Sequence, residues 1–152
     1  MRALHRRNVV FALMAVSASV GCTTDPTSPF WAANRLSGAE ARWRNANLTN
    51  YSFISGVSCE CLPDYATRLR VTVRQGKVTE VSDVRTGAAR PVTYRQPMDS
   101  IFAKVRQEIV ERPERLNVVY DASLGFPRTL TYGTPENDGG GTITVDSVMA
   151  IP

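Results

Sequence analysis

Residues 58–63 read S-C-E-C-L-P, and Cys59 and Cys61 are two of only three cysteines in the chain. A C-x-C pair suits three chemistries: a structural disulfide, a redox-active dithiol, or a two-thiolate clamp for a soft ion such as Cu(I). In a strand, residues i and i+2 project to one face, so the two sulfurs are neighbours. Extended backbone sets their Cα atoms roughly 6.6–6.8 Å apart, the outer limit for a disulfide, so a bond requires a local bend. Pro63 stands where the strand would break. Closing so small a ring contributes only ~1.6 kcal/mol by loop entropy, enough to fix one turn but not to hold up a domain. A redox thiol needs nearby positive charge or a helix N-terminus, whereas Glu60 between the cysteines acts in the opposite sense. A copper site would have no Met-rich stretch beside it. The disulfide is the expectation, with redox and copper chemistry as the alternatives.

The third cysteine, Cys22, ends an N-terminal segment with an address. Arg2, Arg6 and Arg7 form a positive region, and an apolar stretch runs from Val9 to Val20 before Gly21-Cys22. That is the layout of a signal peptide, too short to span a bilayer as a helix. The small residue before cysteine resembles the bacterial lipobox, although Ser19 stands where leucine is usual. The expected organisation is a lipoprotein signal peptide over residues 1–21, lipidated Cys22 with a Thr/Ser/Pro-rich tether to residue 36, and one domain over 37–152. Thr23, not aspartate, follows Cys22, which favours the outer membrane over the inner.

Cleavage before Cys22 would leave 131 of the 152 residues, about one domain. Three of the 18 basic residues leave with the signal, so 15 face 14 acidic residues for a net charge of +1. Such a balance gives no electrostatic footprint for nucleic acid. The one histidine, His5, leaves too, which removes histidine-dependent triads and zinc–histidine sites from the mature chain. Neither G-x-S-x-G nor S-x-x-K occurs, since the Ser100 stretch reads S-I-F-A-K. No catalytic activity, metal or cofactor is expected.

The elements that must position these residues follow from periodicity. Ser37 and Glu40 have capping-box spacing for a helix over Ser37–Asn47, with Leu36, Ala39 and Trp43 on its apolar face. Tyr51, Phe53, Val57, Cys59 and Cys61 share one strand parity. Leu69, Val71 and Val73 alternate with Arg68, Arg70, Thr72 and Arg74 over Thr67–Arg74, and Gln75-Gly76 turns the chain into a strand over Lys77–Val84. Residues 85–95 show no periodicity. A helix opens at Pro97 with Asp99 in its first turn; Ile101, Phe102, Val105 and Ile109 form its stripe, with Lys104, Arg106, Glu108 and Glu111 opposite. Strands are expected over Leu116–Asp121, Arg128–Gly133 and Thr142–Val148. The fold class is α+β, an antiparallel sheet of about six strands with two helices packed on one face, in the order α-βββ-α-βββ. That order raises the idea of a duplicated unit, although no residue-level repeat accompanies it.

Several short signals occur in a fixed order: N-Y-S-F at 50–53, S-C-E-C-L-P at 58–63, V-T-V-R-Q-G-K-V at 71–78, and V-x-Y-D-x-x-x-G-F-P at 118–127. Together they resemble a family of small bacterial secreted proteins and lipoproteins of unknown function, over about Trp43 to Val148. Before the last strand this chain has Asn137-Asp138 where relatives tend to carry an acidic pair. The resemblance implies the fold and the address and no chemistry. Outside the cysteines, the outward arginines Arg68, Arg70 and Arg74 read first as a solvated strand face and second as a binding patch suited to carboxylate or phosphate. Phe126 reads first as a core or turn-packing residue and second as an aromatic for a partner. The function expected is that of a membrane-anchored lipoprotein of the cell envelope. It would bind or adapt, without catalysis, to an envelope protein, a lipid or a small ligand.

Overall fold

The alternation at Leu69, Val71 and Val73 is realised without exception, all three being fully buried on one face of a strand. It belongs to a computed structural model that describes residues 29–61, 63–134 and 139–152. The expected signal peptide, lipidated Cys22 and the Asn137-Asp138 pair lie outside the described residues. Helix α1 (Pro29–Ala46) leads into β1 (Asn50–Ser58), the single-turn helix α2 (Pro63–Ala66), β2 (Leu69–Arg74) and β3 (Lys77–Asp83). A 3-10 turn (Val92–Tyr94) then precedes α3 (Met98–Glu111), β4 (Arg115–Tyr120), β5 (Pro127–Gly133) and β6 (Gly141–Ala150). The chain is therefore α+β with the expected order, plus two short turns of helix that no periodicity announced.

All six strands lie in one antiparallel sheet ordered β3-β2-β1-β6-β5-β4. The topology argues against a duplicated unit. A two-fold repeat would join like strands at the centre, β1 with β4 or β3 with β6, whereas β1 pairs with β6. The β2–β3 turn uses Gln75 (φ 49°) and Gly76 (φ 74°), both left-handed, as a two-residue hairpin requires.

Helix α1 begins two turns before the expected start at Ser37. Proline suits a first helical position, and nothing between Phe30 and Leu36 interrupts the helix. Ser37 is thus an exposed mid-helix residue and no cap, and the helix runs into the segment expected to be tether. The inward stripe is Leu36, Ala39 and Trp43, as expected. In α3, Pro97 is the cap residue and Met98 the first helical one. Glu108, expected to face solvent, is instead buried, because it continues the Ile101–Val105 stripe; Lys104 Nζ meets its Oε1 at 2.6 Å.

Both long helices share one core with the inner sheet face. The Trp43 ring meets Tyr51 edge-on at 5.2 Å and lies 6.4 Å from Phe102. Tyr51 Oη accepts a hydrogen bond from the Met98 N–H at 3.0 Å, and burial pushes its pKa up to about 12. Asp83 ends β3 by accepting from the backbone N–H groups of Thr86 (2.8 Å) and Arg85 (2.9 Å).

Candidate functional site

A chiefly apolar hollow lies beside α3, on the helix side of the sheet. It is a cavity of about 370 Å³ between Val57 of β1, Ile143 of β6, Ile101 and Ala103 of α3, and the aromatic rings of Tyr65 and Tyr94. Those two rings meet edge-to-face at 5.4 Å, joining α2 to the 3-10 turn over one side of the cavity. Gln96, Ser100, Lys104 and Gln107 supply polar groups to its wall.

Arg95 lines the same cavity and is 5% exposed. Its guanidinium donates to three backbone carbonyls, of Tyr94 (2.7 Å), Tyr65 (2.9 Å) and Thr67 (2.8 Å), and its Cζ lies 5.0 Å from the Tyr65 ring centre. None of these partners is an acid. Its Nε–H is buried and finds no acceptor among the described residues. Burial pulls the guanidinium below its ordinary 12.5, but an arginine so placed still carries its charge at every physiological pH. Lys104 differs, because Glu108 neutralises it and holds its pKa up.

Cys59 and Cys61 are bonded to each other, with Cα atoms 5.2 Å apart. The contraction from an extended spacing is the expected bend, and the ring lies just past the end of β1. Both residues are half-buried and do not belong to the core, although the parity of β1 pointed them inward. The pairing of β1 with β6 ends at Ser58, so the ring hangs beyond the last ladder contact, against Gly141 and just ahead of α2. It therefore ties down the segment that brings Tyr65 to the cavity.

The outward arginines are dispersed. Arg68 reaches across β1 to Asp146 of β6 at 2.8 Å, over Gly56, where an added Cβ would lie 3.8 Å from its Cγ. Arg74 Nη1 donates to the Pro152 carbonyl at 2.6 Å. Arg70 is exposed between them. Arg68 shares a shallow hollow with Arg128, Thr129 and Thr144 on the open sheet face, away from the cavity. Of the two readings of Phe126, core packing is the one realised and the partner aromatic is not. It is a core residue at 5% exposure, held inward because its carbonyl accepts from the Asp121 N–H to close the β4–β5 turn, and it presents no ring to a partner.

Among the described residues, no group of three or more His, Cys, Asp or Glu side chains is placed to hold a metal ion. Periodicity missed Arg95, Tyr65 and Tyr94, all in stretches without a repeat.

A family of unknown function (DUF6174) matches residues 35–148. The chain belongs to that family. The match runs from within α1 to within β6, so the family unit includes every strand, the C-x-C ring and all the residues that line the cavity. It also agrees with the resemblance carried by the ordered motifs from N-Y-S-F to G-F-P. No curated protein and no solved structure matches the chain. Within this family the function must be argued from the site.

Proposed function

We propose that this chain is a lipid-anchored, non-catalytic binding domain of the bacterial cell envelope, and that its ligand site is the cavity beside α3. The observation that carries the reading is an apolar cavity of about 370 Å³ bordered by a buried, acid-free Arg95. Small-molecule sites have this character: ~300–1,000 Å³, mostly apolar, with a few placed polar groups. The anchor is supported by the Arg2–Cys22 sequence, since two acyl chains on Cys22 would hold the protein stably at a membrane. The open sheet face and the loops remain free for an envelope partner.

Two measurements test this. Replacing Cys22→Ser in the expressed full chain should release the protein from membranes and remove the acyl mass; retention at the membrane without acyl mass would sink the anchor. Denaturing the purified protein and analysing what it releases should yield a small apolar molecule that Ala103→Trp, which fills the cavity, no longer carries. Equal release from both proteins would sink the cavity as the ligand site.

A further inference from the structure

Among the described residues, Arg95 is the one buried cation lining the cavity with no acid against it. A charge taken out of water is costly unless it is paired, and neutral carbonyls with one aromatic face offset only part of that cost. Three of its five N–H donors hold the carbonyls of Tyr94, Tyr65 and Thr67. They explain why the side chain lies where it does. They leave the buried Nε–H without an acceptor and the positive charge without a counter-ion among the described residues.

Resting on the reading of this cavity as the ligand site, we infer that its ligand is an amphiphilic monocarboxylate: an apolar body against Val57, Ile101 and Ile143, and a single carboxylate on Arg95. Each half of that description comes from the wall. The lining beyond Arg95 is chiefly apolar, and the Tyr65 and Tyr94 rings offer faces and edges to an alkyl or aromatic body. The charge count selects a monoanion. Lys104 is already neutralised by Glu108 at 2.6 Å, so only one positive charge is open to the ligand. A phosphate dianion would bring a second negative charge against a chiefly apolar wall with no second free cation to meet it. A neutral alcohol would fill the same space and leave Arg95 as it stands. A cation would face like charge.

The test is a titration of the purified, isotope-labelled protein with decanoate, decan-1-ol and decylamine, each below its aggregation concentration. The amide signals of Ile101, Ala103 and Ile143 are followed in the wild type, Arg95→Gln and Ala103→Trp. Saturable shifts are expected with decanoate binding about tenfold or more tightly than decan-1-ol, the scale of a hydrogen bond to a charged group. Decylamine should be weakest. Arg95→Gln should bring decanoate down to the affinity of the alcohol, and Ala103→Trp should abolish both. Equal affinity for decanoate and decan-1-ol would overturn the carboxylate assignment and leave the cavity as a ligand site. No shift with any probe, or shifts untouched by Ala103→Trp, would overturn both. Arg95→Gln also removes a clip between two loops. If it does not fold, the decanoate-to-decanol ratio of the wild type decides alone.

Discussion

Trp43 Nε1 donates a hydrogen bond to Asp99 Oδ1 at 3.2 Å, tying the last turn of α1 to the first turn of α3. The same indole packs on Tyr51, whose Oη accepts from the Met98 N–H. One side chain thus fixes where α3 starts, and α3 is the wall of the cavity that carries Ile101, Ala103 and Lys104. Trp43→Phe should keep most of the packing and lose the hydrogen bond, costing ~1–2 kcal/mol. Trp43→Ala should cost ~3–5 kcal/mol. Urea unfolding followed by circular dichroism checks both. A Phe variant as damaging as the Ala variant would mean that the indole N–H, and not the ring, holds the two helices in place.

Two glycines with similar backbone angles should respond differently to alanine. Gly76 (φ 74°) has nothing within 4 Å of a built Cβ, so Gly76→Ala should cost roughly 1–2 kcal/mol, the left-handed backbone alone. Gly125 (φ 81°) would place a Cβ 2.2 Å from the Ala39 carbonyl oxygen of α1. Gly125→Ala should therefore lose clearly more stability than Gly76→Ala, because a helix must move away from the β4–β5 turn. Thermal unfolding of the two variants side by side measures the difference.

Asp83 sets an acid limb. The backbone N–H of Thr86 chiefly, and that of Arg85 after it, hold its carboxyl below the ordinary 3.8. The unfolded chain then binds the proton more readily than the folded one, so stability rises with pH across the gap between the two values. The contribution is complete above the unfolded pKa and is lost as pH falls through 3.8 towards the folded value. Melting temperature should drop on acidification from about pH 5 to about pH 2, and Asp83→Asn should flatten that drop. An unchanged acid limb in the variant would assign it to other carboxylates.

The C-x-C ring should matter locally. Cys59→Ser with Cys61→Ser should lower global stability by no more than ~1.6 kcal/mol. Amide exchange should quicken at residues 64–66, in the turn that carries Tyr65 to the cavity, while the sheet stays protected. Ligand binding should survive in the folded variant. Loss of the protein's role in the cell with folding and binding intact would instead favour a redox or copper role for the pair.

How much of this was legible in the sequence varies by element. Leu69, Val71 and Val73 alternate, and Ile101, Phe102 and Val105 repeat at helical spacing, so β2 and α3 declared themselves through burial on one face. The true start of α1 did not, because Ser37 and Glu40 offered a capping box that tertiary packing overrode. Phe126 was open to two readings because a glycine–proline turn surrounds it, and that turn folds it into the core, the reading its bulk favoured. The cavity was invisible for a different reason. Its wall is assembled from β1, α2, the 3-10 turn, α3 and β6, and Arg95 owes its burial to carbonyls on either side of the sheet's first hairpin. The pairing of Arg68 with Asp146 over Gly56 was equally invisible, because it depends on β1 and β6 being neighbours.

The sheet order has a consequence for when the domain can exist. β1 lies at the centre of the sheet, and its inner neighbour is the last strand, with Tyr51 opposite Ala150. As the chain is made, β1-β2-β3 and β4-β5 emerge as two separate ribbons, each with an uncovered edge and half a core. Only the arrival of residues 141–150 welds them, through the longest-range pairing in the molecule. Until then the two ribbons share no core, and the domain cannot close before its last strand is in place.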